Sequence, residues 1–225
     1  VAGFAWWLAT LVISAINEPE QEPKTSDNQF WKRLKLLRSD SQFLRFVIAR
    51  ALLTSSALVA PYYVMLHTGS ENPLAGFGAL LLASGVASLV ASPLWGRLAD
   101  RSSRLTLVLS ATLVSLLGLA TVSLHITLPD IFKSAWLVPI LYFCLELAHQ
   151  GIRVGRKTYV VDMATDDNRV DYVSVSNSAI GLILLVVGVI SSALSALLPP
   201  ATLIALLSLL SAAGAILGRS LPNVE

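Results

Sequence analysis

The sequence predicts an all-α bundle that crosses a membrane six times, and three observations carry that prediction. Of the 225 residues, 55% are hydrophobic and only 13% charged, about half the charged share of ordinary soluble domains, with a mean hydropathy of +0.70. After residue 40 the apolar residues gather into six runs of roughly 17–25 residues, each long enough as a helix to cross the hydrocarbon core. Fifteen of the 16 lysines and arginines then fall on one side of the membrane in chain order, with Lys133 alone on the other. Helices satisfy their own backbone hydrogen bonds in lipid, so six such spans leave no place for an open sheet.

Residues 1–16 are apolar and contain Trp6 and Trp7, but as a helix they reach only about 24 Å, short of a crossing. They read as the truncated tail of a preceding span. Residues 17–40 form a polar linker, with Pro19 and Pro23 among three glutamates and then Lys32, Arg33, Lys35 and Arg38. Within it Phe30, Leu34 and Leu37 recur at helical spacing beside those bases, the pattern of a helix lying on an anionic membrane surface. A solvated linker fits the same composition.

The bundle proper occupies residues 41–219, with a tail at 220–225. Its first span runs from Phe43 to Leu66, with Asp40 or Ser41 as cap and a kink expected at Pro61, which removes a helix hydrogen bond. The second runs from Leu74 to Trp95 and carries alanines at 75, 79, 83, 87 and 91 beside Ser84, Ser88 and Ser92. A stripe of small residues lets another helix approach closely. The third runs from Leu105 to Leu124, the fourth from Trp136 to about Arg156, the fifth from Val173 to Leu197 and the sixth from Ala201 to Leu217. Residues 157–172, with four aspartates, read as the longest loop between spans.

Between the second and third spans lies a short charged turn, PLWGRLADRSSR. Its Gly96, Leu98, Ala99, Asp100, Arg101 and Arg104 resemble the G-x-L-A-D-R-x-G-R-R loop of the major facilitator superfamily, which joins the second and third helices of each six-helix half. Ser103 and Leu105 depart from that pattern as the later of the family's two loop copies does. With the partial span, the linker and the six spans, the chain resembles helices six to twelve of a twelve-helix transporter. The resemblance implies that an N-terminal six-helix half completes the molecule and that the alanine stripe and Asp100 meet that half. It also implies that Gly96, Arg97, Asp100, Arg101 and Arg104 form a gate loop that shifts as access alternates. By the positive-inside rule the linker, this turn and the C-terminus are expected in the cytoplasm, with the protein multi-pass in the cell membrane.

The fourth span carries the chemistry. Tyr142, Glu146, His149, Arg153, Arg156 and Lys157 fall within about a 100° sector of a helix, and Glu146 lies about 15 Å from Trp136, near the bilayer midplane. Arg156 and Lys157 read as residues that snorkel to the interface, and Arg153 can do the same. A carboxylate at the depth of Glu146 is costly and faces either a cavity or a structural partner. His149, one turn away, is placed to share a hydrogen bond with it. Arg50 lies about 10 Å into the first span, within reach of either the interface, the favoured reading, or a central cavity. Asn177, among Ser174, Ser176 and Ser178, reads as a polar cluster at the start of its helix.

No metal-binding or phosphate-cradling pattern occurs, so neither an enzyme nor a cofactor is expected, and no nucleic-acid partner. The expected function is alternating-access transport of a small solute, coupled to protons, with Glu146, His149, Arg153, Tyr142 and Arg50 at the solute or proton site. A non-transporting receptor or a channel on the same bundle is the alternative.

Overall fold

A computed structural model describes residues 7, 10, 37, 39–67, 73–132, 134, 136–165 and 168–224. The chain divides into two compact units, Val1–Arg33 and Leu34–Glu225. Of the first, only Trp7 and Thr10 are described, both helical, so the readings made for residues 1–16 and for most of the linker lie outside the described residues.

Apart from short turns and its C-terminal tail, the described part of the second unit is helical. Its elements are α1 (Ser41–Thr54), a 3₁₀ turn (Ser55–Leu58), α2 (Ala60–His67), α3 (Pro73–Ala99), α4 (Ser103–Thr127), the short α5 (Pro129–Phe132), α6 (Leu137–Met163), α7 (Arg169–Ser195) and α8 (Pro200–Arg219). With α1 and α2 counted as one broken span, six helices among the described residues are long and apolar enough to cross a membrane. The surface fits that reading, since Leu82, Leu89, Leu182 and Leu185 are among many large apolar side chains left exposed. A lipid-facing surface has no reason to bury them.

Several boundaries differ from the sequence reading. The first span does not kink at Pro61 but breaks one turn earlier, at Ser55–Leu58. Proline lacks the N–H that would bond four residues back, so the distortion falls in the preceding turn. There the Ser55 and Ser56 hydroxyls donate to Leu52 and Leu53 carbonyls instead. α3 continues to Ala99 through Gly96, leaving only residues 100–102 between it and α4. Most of the loop expected over residues 157–172 is also helix, because α6 runs to Met163 and α7 begins at Arg169. Helix ends that project past the hydrocarbon become polar without ceasing to be helical.

Asp40 caps α1, accepting from the Gln42 and Phe43 amides at 2.9 and 3.0 Å, and it also accepts from the Tyr172 hydroxyl of α7. Burial pushes its carboxyl up, but the bonds from Tyr172, Phe43 and Gln42 together outweigh that and hold it below its ordinary value of 3.8. A carboxyl held low stabilises the fold above its unfolded-state value and loses that contribution as pH falls through the folded one. Asp40→Ala is therefore expected to lower stability by about 1 kcal/mol at neutral pH. Thermal melts should show the gap between variant and native protein closing below pH 4.

The packing order across the bundle is α3, α6, α4, α8, α1, α7. The alanine stripe was expected to meet an N-terminal half, yet Ala87 and Ala91 are buried within this chain, where α3 lies along α6. Near that end the Trp95 indole N–H donates to the Leu147 carbonyl at 2.7 Å. Toward the other end, Ala75, Ala79 and Ala83 instead face Trp136, Pro139 and Phe143 across an open apolar groove of about 590 Å³. α6 approaches α4 just as closely at Gly155, where an added Cβ would stand 2.9 Å from the Leu107 backbone nitrogen. The tail after α8 is tied down, since Arg104 Nη1 and the Tyr159 hydroxyl donate to the Leu221 and Pro222 carbonyls, each at 3.0 Å.

Candidate functional site

Two other spans, α3 and the broken first span, offer hydroxyl groups to the polar face of α6. From α3 comes Ser84, in hydrogen-bonding contact with the Tyr142 hydroxyl, which also bonds with the Glu146 carboxylate. One turn on, the Ser88 hydroxyl donates to the Ser84 carbonyl and accepts from Gln150 Nε2 at 3.2 Å. Gln150 Oε1 in turn accepts from Arg153 Nη1 at 3.1 Å. A chain of contacts thus runs from Glu146 through Tyr142, Ser84, Ser88 and Gln150 to Arg153, whose charge also acts on Glu146 directly.

From the 3₁₀ turn comes Ser56, whose hydroxyl lies 2.8 Å from His149 Nδ1. His149 therefore bonds across to the first span rather than to Glu146, as the spacing had suggested. Ser56 lies in the 3₁₀ turn before Pro61, where the first span departs from α-helical geometry.

Arg50 departs furthest from expectation. It does not snorkel to the interface but is 7% exposed, and its guanidinium donates to Ser176 Oγ and, at 2.7 Å, to Asn177 Oδ1 of α7. Asn177 is thus not merely a polar start to its helix but an acceptor for Arg50. Arg156, also expected at the interface, is half-buried and near enough to Arg50 for their charges to repel. Arg153 and Lys157 are exposed, as a snorkelling residue would be. Tyr142 is buried and Glu146 half-buried. The α6 residues were legible by their spacing; Ser56 and Ser84 were not, since isolated serines in an apolar span carry no distinguishing signal.

At the α3–α4 turn, Arg97, Asp100 and Arg101 are exposed and Gly96 is half-buried. Ser102 caps α4, accepting from the Leu105 amide at 3.1 Å. Arg104 is set apart from the other arginines of the turn by its bond to the tail.

Among the described residues no group of three or more histidines, cysteines or acids is placed to hold a metal ion. The site can hold a charge away from water, pass a proton among hydroxyls and a carboxylate, and present guanidinium groups to a ligand. No curated protein matches the chain. Residues 46–224 match the family model described as Major Facilitator Superfamily.

Proposed function

Because the chain belongs to the Major Facilitator Superfamily, we propose that it is the C-terminal half of a secondary transporter that moves a small solute by alternating access and couples the movement to protons. The observation that carries this reading is the polar network centred on α6. Spans that are otherwise apolar meet there through polar side chains: Ser84 with Tyr142 and Glu146, Ser56 with His149, and Arg50 with Ser176. Ionisable groups at that depth are expensive, and a solute path that closes over them accounts for the cost.

In this account Glu146 loads and releases the proton, Tyr142 and Arg153 tune it, and His149 ties the 3₁₀ turn to α6. The turn bearing Gly96, Arg97, Asp100, Arg101 and Arg104 is the gate on the cytoplasmic side. The N-terminal half would supply the other wall of the cavity.

The test uses a single cysteine at Ser88, exposed on α3 beside Gln150, with Cys144 replaced by serine. A membrane-impermeant thiol reagent should reach it from either face of the membrane, with reactivity on one face rising as that on the other falls. A cysteine at Ser102, in the α3–α4 turn, sets the orientation and should react only from the cytoplasmic face.

A further inference from the structure

Arg50 and Arg156 lie in one layer of the bundle. Counted along their helices, Arg50 is about 13 Å from the start of α1, Arg156 about 10 Å from the end of α6, and Ser176 about 10 Å from the start of α7. Arg50 is 7% exposed, and Nε of both arginines is enclosed with no hydrogen-bond partner. The groups that Arg50 does meet, Ser176 and Asn177, are neutral. The charge that acts on Arg50 is that of Arg156, and the one that acts on Arg156 is that of Arg153, all of one sign.

Of the acids in the described spans, Glu146 lies on α6 itself, where Tyr142 and Arg153 act on it. Asp162 is exposed near the end of α6 and Asp171 lies in the first turn of α7. Buried charges are paired, or they await a counter-charge. A guanidinium carries five donors in a planar fork that matches the two oxygens of a carboxylate or phosphate. Ser176 and Asn177 take the two Nη groups of Arg50 and leave its buried Nε without a partner.

We propose that the solute is an anion, and that its carboxylate or phosphate group docks on Arg50 and Arg156. The proposal rests on the transporter reading and narrows it to a substrate class. Ser176 and Asn177 hold Arg50 at its post on α1, and His149 and Gln150 supply polar contacts to the rest of the solute. An incoming anion offsets the repulsion between the two arginines.

The experiment is a thermal-stability titration of the complete transporter, purified from membranes, at constant ionic strength. The probes are sodium phosphate, sodium acetate and sodium succinate, with succinamide and putrescine as neutral and cationic counterparts. Phosphate or a carboxylate should raise the melting temperature saturably, and which of them does so identifies the group. Succinamide and putrescine should not. Arg156→Gln should weaken the apparent affinity at least tenfold, and Arg50→Lys, which keeps the charge but loses the fork, should weaken it by a smaller factor.

A shift from no anion, a saturable shift from succinamide or putrescine instead, or an anion shift unaltered in Arg156→Gln would each overturn the proposal. The Ser88 cysteine separates the two levels. If its reactivity still alternates between faces, only the anion assignment falls; if it does not, the transporter reading falls with it.

Discussion

Glu146→Gln is expected to abolish accumulation of solute driven by a pH gradient while leaving exchange of solute across the membrane intact. Glutamine keeps the shape and the hydrogen-bonding reach of glutamate but cannot take up or release a proton. The groups around Glu146 give that loss its meaning. Tyr142 bonds to it and Arg153 acts on it from the same helix, Ser84 of α3 meets the same tyrosine, and Arg50 of α1 and Arg156 supply further positive charge toward the C-terminal end of α6. Removal from water and a nearby cation act in opposite directions on the proton affinity of a carboxylate. In the proposed cycle the cavity changes the side on which it is open, water access changes with it, and so does the balance. Transport in proteoliposomes with an imposed pH gradient gives the first readout, and counterflow without a gradient the second. Accumulation unchanged in the variant would remove Glu146 from the coupling. A variant that fails to insert would mark Glu146 as a structural strut between helices.

Gly151→Val is expected to have the largest effect on folding. An added Cβ at Gly151 would stand 2.6 Å from both Ser110 Cβ on α4 and the Trp95 ring on α3. Neither side can give way easily, because Trp95 is held to the Leu147 carbonyl and Ser110 is fully buried and bonded back to Thr106. Overpacking of this kind costs about 1–3 kcal/mol, and two blocked directions put the expected loss near the top of that range. At 150–250 residues, about 3 kcal/mol corresponds to a fall in melting temperature of roughly 6–12 °C. Gly188→Ala on α7, where an added Cβ meets nothing within 4 Å, is the control and should stay within about 0.5 kcal/mol of the native protein. Equal stability of both variants would mean that α3, α4 and α6 do not converge at Gly151.

The spans were legible because run length and charge placement are enforced by the bilayer itself, a constraint every residue of a crossing helix feels. Their ends were less so. Hydropathy marks where the hydrocarbon stops, whereas α3, α6 and α7 continue as helix beyond it, and the charged residues from Lys157 to Tyr172 read as loop for that reason. The α6 face was legible because one helix places Tyr142, Glu146 and His149 at its own period. What those residues touch was not. Ser56 lies 93 positions from His149, and Ser176 lies 126 from Arg50; no local pattern links positions that meet only once the bundle has closed. Arg50 illustrates the physical point best. A lone arginine about 10 Å inside a span has two resolutions, the interface or a buried partner. Only the arrival of Asn177 from α7 decides between them.

The account stands or falls on whether the polar network lines a path that opens to one side at a time. The most direct measurement is the reactivity of the Ser88 cysteine toward an impermeant thiol reagent added to one face and then the other, over a range of pH. The account predicts reciprocal change, with labelling from the cytoplasmic face falling as labelling from the outer face rises, and with Glu146→Gln flattening the pH dependence. Simultaneous labelling from both faces would describe a channel, and labelling from neither would describe a closed polar core; either result contradicts alternating access.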